Sequence, residues 1–195
     1  MQLQGAQVTV FCGSSPGHDP VYLATARALG AALADAGATV VYGGANVGLM
    51  GAVADAALAA GGAVVGVIPE GLARRDITHH GLTELHVTPN MHARKALMSE
   101  RADAYVALPG GYGTWEELLE VATWRQIGLH GRPIVLVDVG GYYAPLKALV
   151  AQGIAAGFMA PALGEFLTFV PDAEAAIEAL RAYAPPTRVV GKFGG

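Results

Sequence analysis

The sequence predicts a single α/β domain: a Rossmann-like, doubly wound parallel sheet with helices on both faces. Three observations predict it. Short apolar, β-branched runs alternate with helix-length periodic segments along the whole chain, the pattern of parallel strands joined by crossovers. Glycine accounts for 27 of the 195 residues, about twice the usual share, and clusters where strands end. Hydrophobic residues make up 53% and charged ones only 14%, so much of the surface is uncharged or covered in an oligomer.

The elements follow in order. The apolar run at 8–12 is the first strand. Helical periodicity over 22–36 (Leu23, Ala26, Leu29, Gly30, Leu33) ends at Gly37, a C′ glycine. A second strand at 39–42 runs into Gly43-Gly44. A small-residue helix at 49–60 stops at Gly61-Gly62, and a third strand covers 63–68. Residues 69–90 read as a long, polar, irregular connection. A helix at 91–101 leads to a fourth strand at 104–108, whose crossover helix covers 114–127. A fifth strand at 133–137, a helix at 143–152, a short strand near 166–170 and a helix at 172–184 complete a domain spanning 1–184. The tail 185–195, opening on Pro185-Pro186, reads as disordered. In a doubly wound sheet ligands bind at the carboxyl ends of the strands, where the strand order reverses. The glycine turns after the first, second and fourth strands are expected at that edge.

The turn after the fourth strand carries the most information. Pro109-Gly110-Gly111-Tyr112-Gly113-Thr114-Trp115-Glu116-Glu117 joins a buried strand to a helix start. Glycines admit close backbone approach to a ligand, and the free N–H groups and positive end of the helix then face an anion. Glu117 stands about one helical turn past Gly113, within reach of the same ligand. Two roles are open to it. Thr114-x-x-Glu117 is a capping box, with Thr114 as N-cap; the preceding glycines and an upstream basic pair point instead to a catalytic or ligand-binding acid. The roles are compatible.

The basic pair is the second feature. Met91, Arg94, Lys95 and Met98 fall at i, i+3, i+4 and i+7, on one helix face. Methionines there signal core, so Arg94 and Lys95 need an anion to meet, and a guanidinium suits phosphate or carboxylate. An ordinary solvated charge pair is the competing reading. The turn at 43–51, Gly44 included, either packs helix on strand or shares in ligand binding. It matches no strict dinucleotide fingerprint, and no G-K-[ST] follows it. Ser14 and Ser15 either donate to a phosphate or close the first strand by a side-chain turn.

Composition sets limits. A net charge of −4 argues against a nucleic-acid binder with a broad basic face. The lone Cys12 excludes an internal disulfide framework and fits a reducing cytoplasm. No signal peptide pattern opens the chain. Mean hydropathy is +0.41, yet the longest uncharged run, 36–54, contains five glycines and Asn46 and divides into a strand and a helix start, so no membrane partner is expected. His79, His80, His86 and His92 show no metal-ligand spacing, and no metal is expected.

Pro-Gly-Gly-x-Gly-Thr-x-x-Glu at 109–117, with Met91-His92-x-Arg94-Lys95-x-x-Met98 upstream, resembles the LONELY GUY (LOG) proteins, cytokinin riboside 5′-monophosphate phosphoribohydrolases. The resemblance runs from Val10 to about Gly141-Tyr142-Tyr143. It implies cleavage of a nucleoside 5′-monophosphate by water to free base and ribose 5-phosphate, without metal or organic cofactor. It implies Arg94 and Glu117 as catalytic residues. Nucleotide-binding positions would be Arg94, Lys95, the stretch Gly111, Tyr112, Gly113, Thr114 to Glu117, and Thr123, with Gly110–Thr114 holding the 5′-phosphate. Asp76 falls where plant members have glutamate. A homodimer is expected on the same ground, and from the apolar surface of the alanine- and methionine-rich helices. Tyr112 and Trp115 contact either the ligand or the partner subunit. The older lysine decarboxylase label of such proteins finds no support in a pyridoxal-phosphate lysine context. The alternative from another class is a non-catalytic carrier of a phosphorylated ligand, such as molybdenum cofactor, on a similar fold. Such a carrier has no need of Glu117.

Overall fold

The computed structural model describes residues 1–73 and 76–185. Seven parallel strands form one sheet in the order β4-β3-β2-β1-β5-β6-β7. They are β1 (Gln7–Phe11), β2 (Thr39–Tyr42), β3 (Val64–Pro69), β4 (Glu84–Thr88), β5 (Ala104–Ala107), β6 (Ile134–Val137) and β7 (Leu167–Val170). The helices are α1 (Pro20–Asp35), α2 (Gly48–Ala59), α3 (Glu70–Ala73), α4 (Met91–Glu100), α5 (Tyr112–Gln126), α6 (Ala144–Ala155) and α7 (Ala173–Ala182). The doubly wound class is as the sequence predicts.

Alternation along the strands divides the core in two. Val8, Val10, Val40, Tyr42, Val106 and Val135 face α1, α2 and α7, meeting Leu29, Leu33, Val53, Ile177 and Leu180. Phe11, Val41, Val65, Tyr105, Ala107 and Leu136 face the other layer, meeting Met98 of α4 and Leu118 and Val121 of α5. Leu118 is fully buried, and each such side chain contributes about 1.5–3 kcal/mol of transfer free energy. This packs α5 firmly against the sheet.

The chain winds outward from β1 through β2 and β3 to β4, then returns to place β5 on the other side of β1. The order therefore reverses between β1 and β5. A crevice opens there at the strand carboxyl ends, because the two connections leave in opposite directions. The turns after β1, β2 and β5 meet at that edge, as expected.

Two local expectations need correction. Residues 69–90 are not irregular throughout: they contain α3 and the edge strand β4. Glu84-Leu85-His86-Val87-Thr88 does alternate polar and apolar, but the run is short, sits in polar surroundings and exposes even its apolar members Leu85 and Val87, so it reads as irregular. The second correction concerns α5, which starts at Tyr112 with Gly111 as N-cap and no side-chain cap. Thr114 is thus not the N-cap but a buried residue of the first turn, and no capping box forms. The tail expected to be disordered lies, beyond Pro185, outside the described residues.

Candidate active site

The site begins with a close contact between two turns. The Gly13 N–H donates to the Pro109 carbonyl at 3.0 Å, and the Leu49 N–H at the start of α2 donates to the Gly13 carbonyl at 3.0 Å. A Cβ on Gly110 would lie 2.1 Å from Thr114 Oγ1 and 2.9 Å from the Gly13 nitrogen, so only glycine lets the β1 and β5 turns approach this closely. Two tyrosines brace the β5 turn. Tyr143 donates its hydroxyl to the Leu108 carbonyl at 2.6 Å, and Tyr142 donates to the Gly110 carbonyl. Above the turns lies a cavity of about 280 Å³ lined by Gly13, Ser14, Ser15, Tyr22, Gly110 and Tyr142, among others. The N-terminus of α5, without a side-chain cap, begins at its rim. Backbone N–H groups at such a helix end attract an anion.

Beside this edge α4 and α5 present the charged pair. Arg94 Nη1 donates to Glu117 Oε1 at 2.6 Å, and the two side chains are 11% and 10% exposed, which makes the pair nearly dry. Arg94 Nε donates to the Val67 carbonyl at the end of β3 at 3.0 Å, fixing the plane of the guanidinium. Burial pushes the Glu117 carboxyl above the usual glutamate range, and the Arg94 charge only partly offsets it. Cys12 is also buried here; burial first, and the Glu117 charge second, push its thiol well up, so it is an inert neighbour. Lys95, one residue on, donates to Glu120 Oε1 at 2.9 Å and to Glu116. Hydrogen bonding to Glu116 heads the causes that raise its pKa, with burial opposing. The anions that Arg94 and Lys95 require are thus carboxylates of α5, and the pair is not an ordinary solvated one.

The remaining expected residues divide. Ser14 lines the cavity and is exposed. Gly110, Gly111, Tyr112, Gly113 and Thr114 form the turn and first helical turn, with the Tyr112 ring 86% exposed and packed edge-on to Trp115. Gly44 adopts φ 76° and abuts Ile68. Asp76 is an exposed turn residue in a segment paired with residues 44–46. Thr123 is not gathered with the pair. It is exposed, its hydroxyl bonds the Leu119 carbonyl at 2.7 Å, and it lies about 9 Å further along the α5 axis than Glu117. Sequence reasoning missed the Val67 carbonyl, the carboxylates of Glu116 and Glu120, and the bracing hydroxyls of Tyr142 and Tyr143. Only the tyrosines left a trace, as the last residues of the family-like stretch.

Comparison with known proteins identifies the family. A family model described as possible lysine decarboxylase matches residues 50–180. The cytokinin riboside 5′-monophosphate phosphoribohydrolase of Rhodococcoides fascians is 51% identical over 175 residues, covering 89% of this chain and 88% of that protein. The Arabidopsis thaliana enzyme LOG7, with the same activity in its name, is 44% identical over 179 residues, covering 92% and 82%. Among solved structures, the molybdenum cofactor carrier of Chlamydomonas reinhardtii superposes with a TM-score of 0.70 at 22% identity, covering 91% of this chain and 96% of that one. The molybdenum cofactor binding protein of Rippkaea orientalis gives 0.69 at 23%, covering 92% and 97%. These two likenesses establish the fold alone. With the family model matched and relatives this similar along most of its length, the chain belongs to the LONELY GUY family of cytokinin riboside 5′-monophosphate phosphoribohydrolases.

Proposed function

We propose that this protein hydrolyses the N-glycosidic bond of nucleoside 5′-monophosphates, cytokinin riboside 5′-monophosphates or AMP, releasing free base and ribose 5-phosphate. The observation that carries the reading is the dry Arg94–Glu117 pair beside an uncapped helix N-terminus at the switch point. The 51% and 44% identical relatives named for this activity support it.

The chemistry follows from the placement. The first-turn N–H groups of α5 and the Thr114 hydroxyl hold the 5′-phosphate, with Ser14 at the opposite wall. Cleavage passes through an oxocarbenium-like transition state. Glu117 supplies a carboxylate where positive charge develops on the ribose, and its raised pKa also suits a proton acceptor for the attacking water. Water's hydroxyl adds to the anomeric carbon, the C–N bond breaks, and the leaving base takes up a proton. Arg94 orients the Glu117 carboxylate, which is held on its other sides by packing. The residues named require no metal and no organic cofactor for these steps.

The protein acts as a homodimer in this reading. Tyr112, Trp115, Leu119 and Ile127 are exposed along α5, and Met91 of α4 and Leu129 are exposed nearby in the chain. An apolar stripe of this kind is a candidate association surface. Thr123 lies in the same stripe, so it faces a nucleotide only across that interface. Among the described residues no helix is long and apolar enough to cross a membrane, and the lone buried Cys12 accords with a cytoplasmic enzyme.

The test compares wild type with Glu117→Gln on AMP and on isopentenyl adenosine monophosphate, following base and ribose 5-phosphate by chromatography. Wild type releases base, and the folded variant loses about 10²–10⁴-fold in kcat. Nucleotide binding without cleavage by wild type would instead indicate a carrier. A fully active Glu117→Gln would move the chemistry to another acid, Asp76 first.

A further inference from the structure

One histidine–carboxylate contact near the site has no part in the chemistry above. His79 Nε2 lies 3.0 Å from Asp55 Oδ1 on α2, while the Gly81 N–H donates to His79 Nδ1 at 3.1 Å. With Nδ1 accepting, the proton resides on Nε2 and is donated to the carboxylate. The ring is packed, at 11% side-chain exposure, whereas Asp55 is 74% exposed. The pair therefore anchors the segment 76–81 to the outer surface of α2 without opening the core.

That segment packs on the turn after β2. Thr78 bridges Ala45 in antiparallel fashion. The Asn46 N–H donates to the Ile77 carbonyl at 2.7 Å, and the His79 N–H donates to the Gly44 carbonyl at 3.0 Å. The glycine turn so bound is the surface against which the Arg94 guanidinium lies: a Cβ on Gly43 would stand 2.4 Å from Nη2. The same segment opens with the exposed Asp76. Loosening 76–81 thus lowers the population in which the turn and Asp76 are in place to receive a nucleotide, while Arg94 keeps its own bonds to Val67 and Glu117; His79 bonds to neither Arg94 nor Asp76.

We propose that His79 and Asp55 form a clasp that positions the nucleotide-binding side of the site, His79 acting as a positioning residue for substrate affinity. The inference rests on the hydrolase reading, and it assigns a role to a histidine outside the family-like motifs. When the clasp opens, the binding-competent arrangement is less populated and apparent affinity falls in proportion.

The experiment measures AMP binding by calorimetry and base release by steady-state kinetics in wild type, Asp55→Ala, His79→Asn, His79→Gln and the Asp55→Ala/His79→Asn double variant. The shorter amide of His79→Asn retains an acceptor for the Gly81 N–H but does not reach Asp55, whereas the longer amide of His79→Gln extends a donor toward it. Asp55→Ala and His79→Asn each raise Kd and KM about two- to fivefold, the scale of one exposed charge-assisted bond, with kcat within about twofold. The double variant is no weaker than the poorer single, because both remove one interaction. His79→Gln recovers most of the affinity, and amide exchange over 76–81 quickens in Asp55→Ala. Unchanged affinity in both single variants, additive losses in the double, or a fall in kcat at constant Kd overturns the clasp. A wild type that binds AMP but releases no base defeats the hydrolase reading while the Kd comparison still judges the clasp. A wild type that does neither defeats both.

Discussion

A methyl group added at Gly43 would stand 2.4 Å from Nη2 of Arg94 and 2.9 Å from Sδ of Met50. Both atoms are distal parts of long side chains, so the strain is relieved by moving them rather than the backbone. Ordinary carbon–nitrogen contact is about 3.5 Å, and the guanidinium must therefore retreat by about 1 Å. Gly43 has no positive φ, so alanine costs the backbone nothing there and restricts the unfolded chain, a gain of about 0.4–1 kcal/mol. The opposing loss is the 2.6 Å charge-assisted bond to Glu117, worth about 1.5–3 kcal/mol when well formed. Retention of part of that bond brings net stability close to balance, and at about 2–4 °C per kcal/mol the Tm of Gly43→Ala stays within about 5 °C of wild type. Catalysis is less forgiving, since a misplacement of about 1 Å in a positioned group costs on the order of 10²-fold. The neighbouring glycine is the control. Gly44 has φ 76° and its Cβ would approach Ile68 Cβ to 3.2 Å, so Gly44→Ala costs about 1–2 kcal/mol of fold stability. Thermal melts and base-release kinetics on the two variants decide the matter. If Gly43→Ala folds and turns over like wild type, the reasoning that Arg94 is held against this turn for catalysis is wrong.

Four further outcomes are expected. Because burial raises the Glu117 pKa and the reaction uses its carboxylate, the acid limb of kcat/KM lies above the usual glutamate range and disappears in any residual activity of Glu117→Gln. A raised folded-state pKa favours the protonated fold, so Glu117's contribution to stability is largest below its unfolded pKa and is lost as pH rises through the folded one; denaturant titrations should show Glu117→Gln gaining on wild type across that window. Tyr142→Phe removes the hydroxyl that braces the Gly110 carbonyl; AMP affinity should fall about fivefold, the size of one neutral hydrogen bond, with little change in Tm, and unchanged affinity would show the brace to be idle. Leu119→Asp places a charge in the exposed α5 stripe and should convert the proposed dimer to monomer in sedimentation velocity, whereas an unaltered sedimentation coefficient would rule this face out as the interface.

The fold was legible where burial is two-sided. Runs such as 104–108 and 134–137 are apolar throughout because helices cover both faces, and the alternation with helical segments implied parallel strands. The edge strand β4 was less legible, although Glu84-Leu85-His86-Val87-Thr88 alternates polar and apolar, since the run is short and largely exposed, with only Thr88 buried. The Thr114 capping box shows another limit. Local pattern alone suited an N-cap at Thr114, but the Gly13 turn packs against Gly110 and the helix begins two residues earlier. That contact comes from a strand nearly a hundred residues away, and no window on the sequence contains it.

By itself, the sequence determined the doubly wound class, the glycine turns at the strand ends, and Arg94 and Glu117 as the residues to watch, because residue type, period and spacing are local properties of a chain. Only the tertiary structure decided that Arg94 meets Glu117 and Lys95 meets Glu116 and Glu120, that Tyr142 and Tyr143 brace the turn, and that His79 reaches Asp55. The physical reason is that charge pairing and desolvation depend on distance in space, and the crossovers around β1 bring together side chains that the chain itself holds far apart.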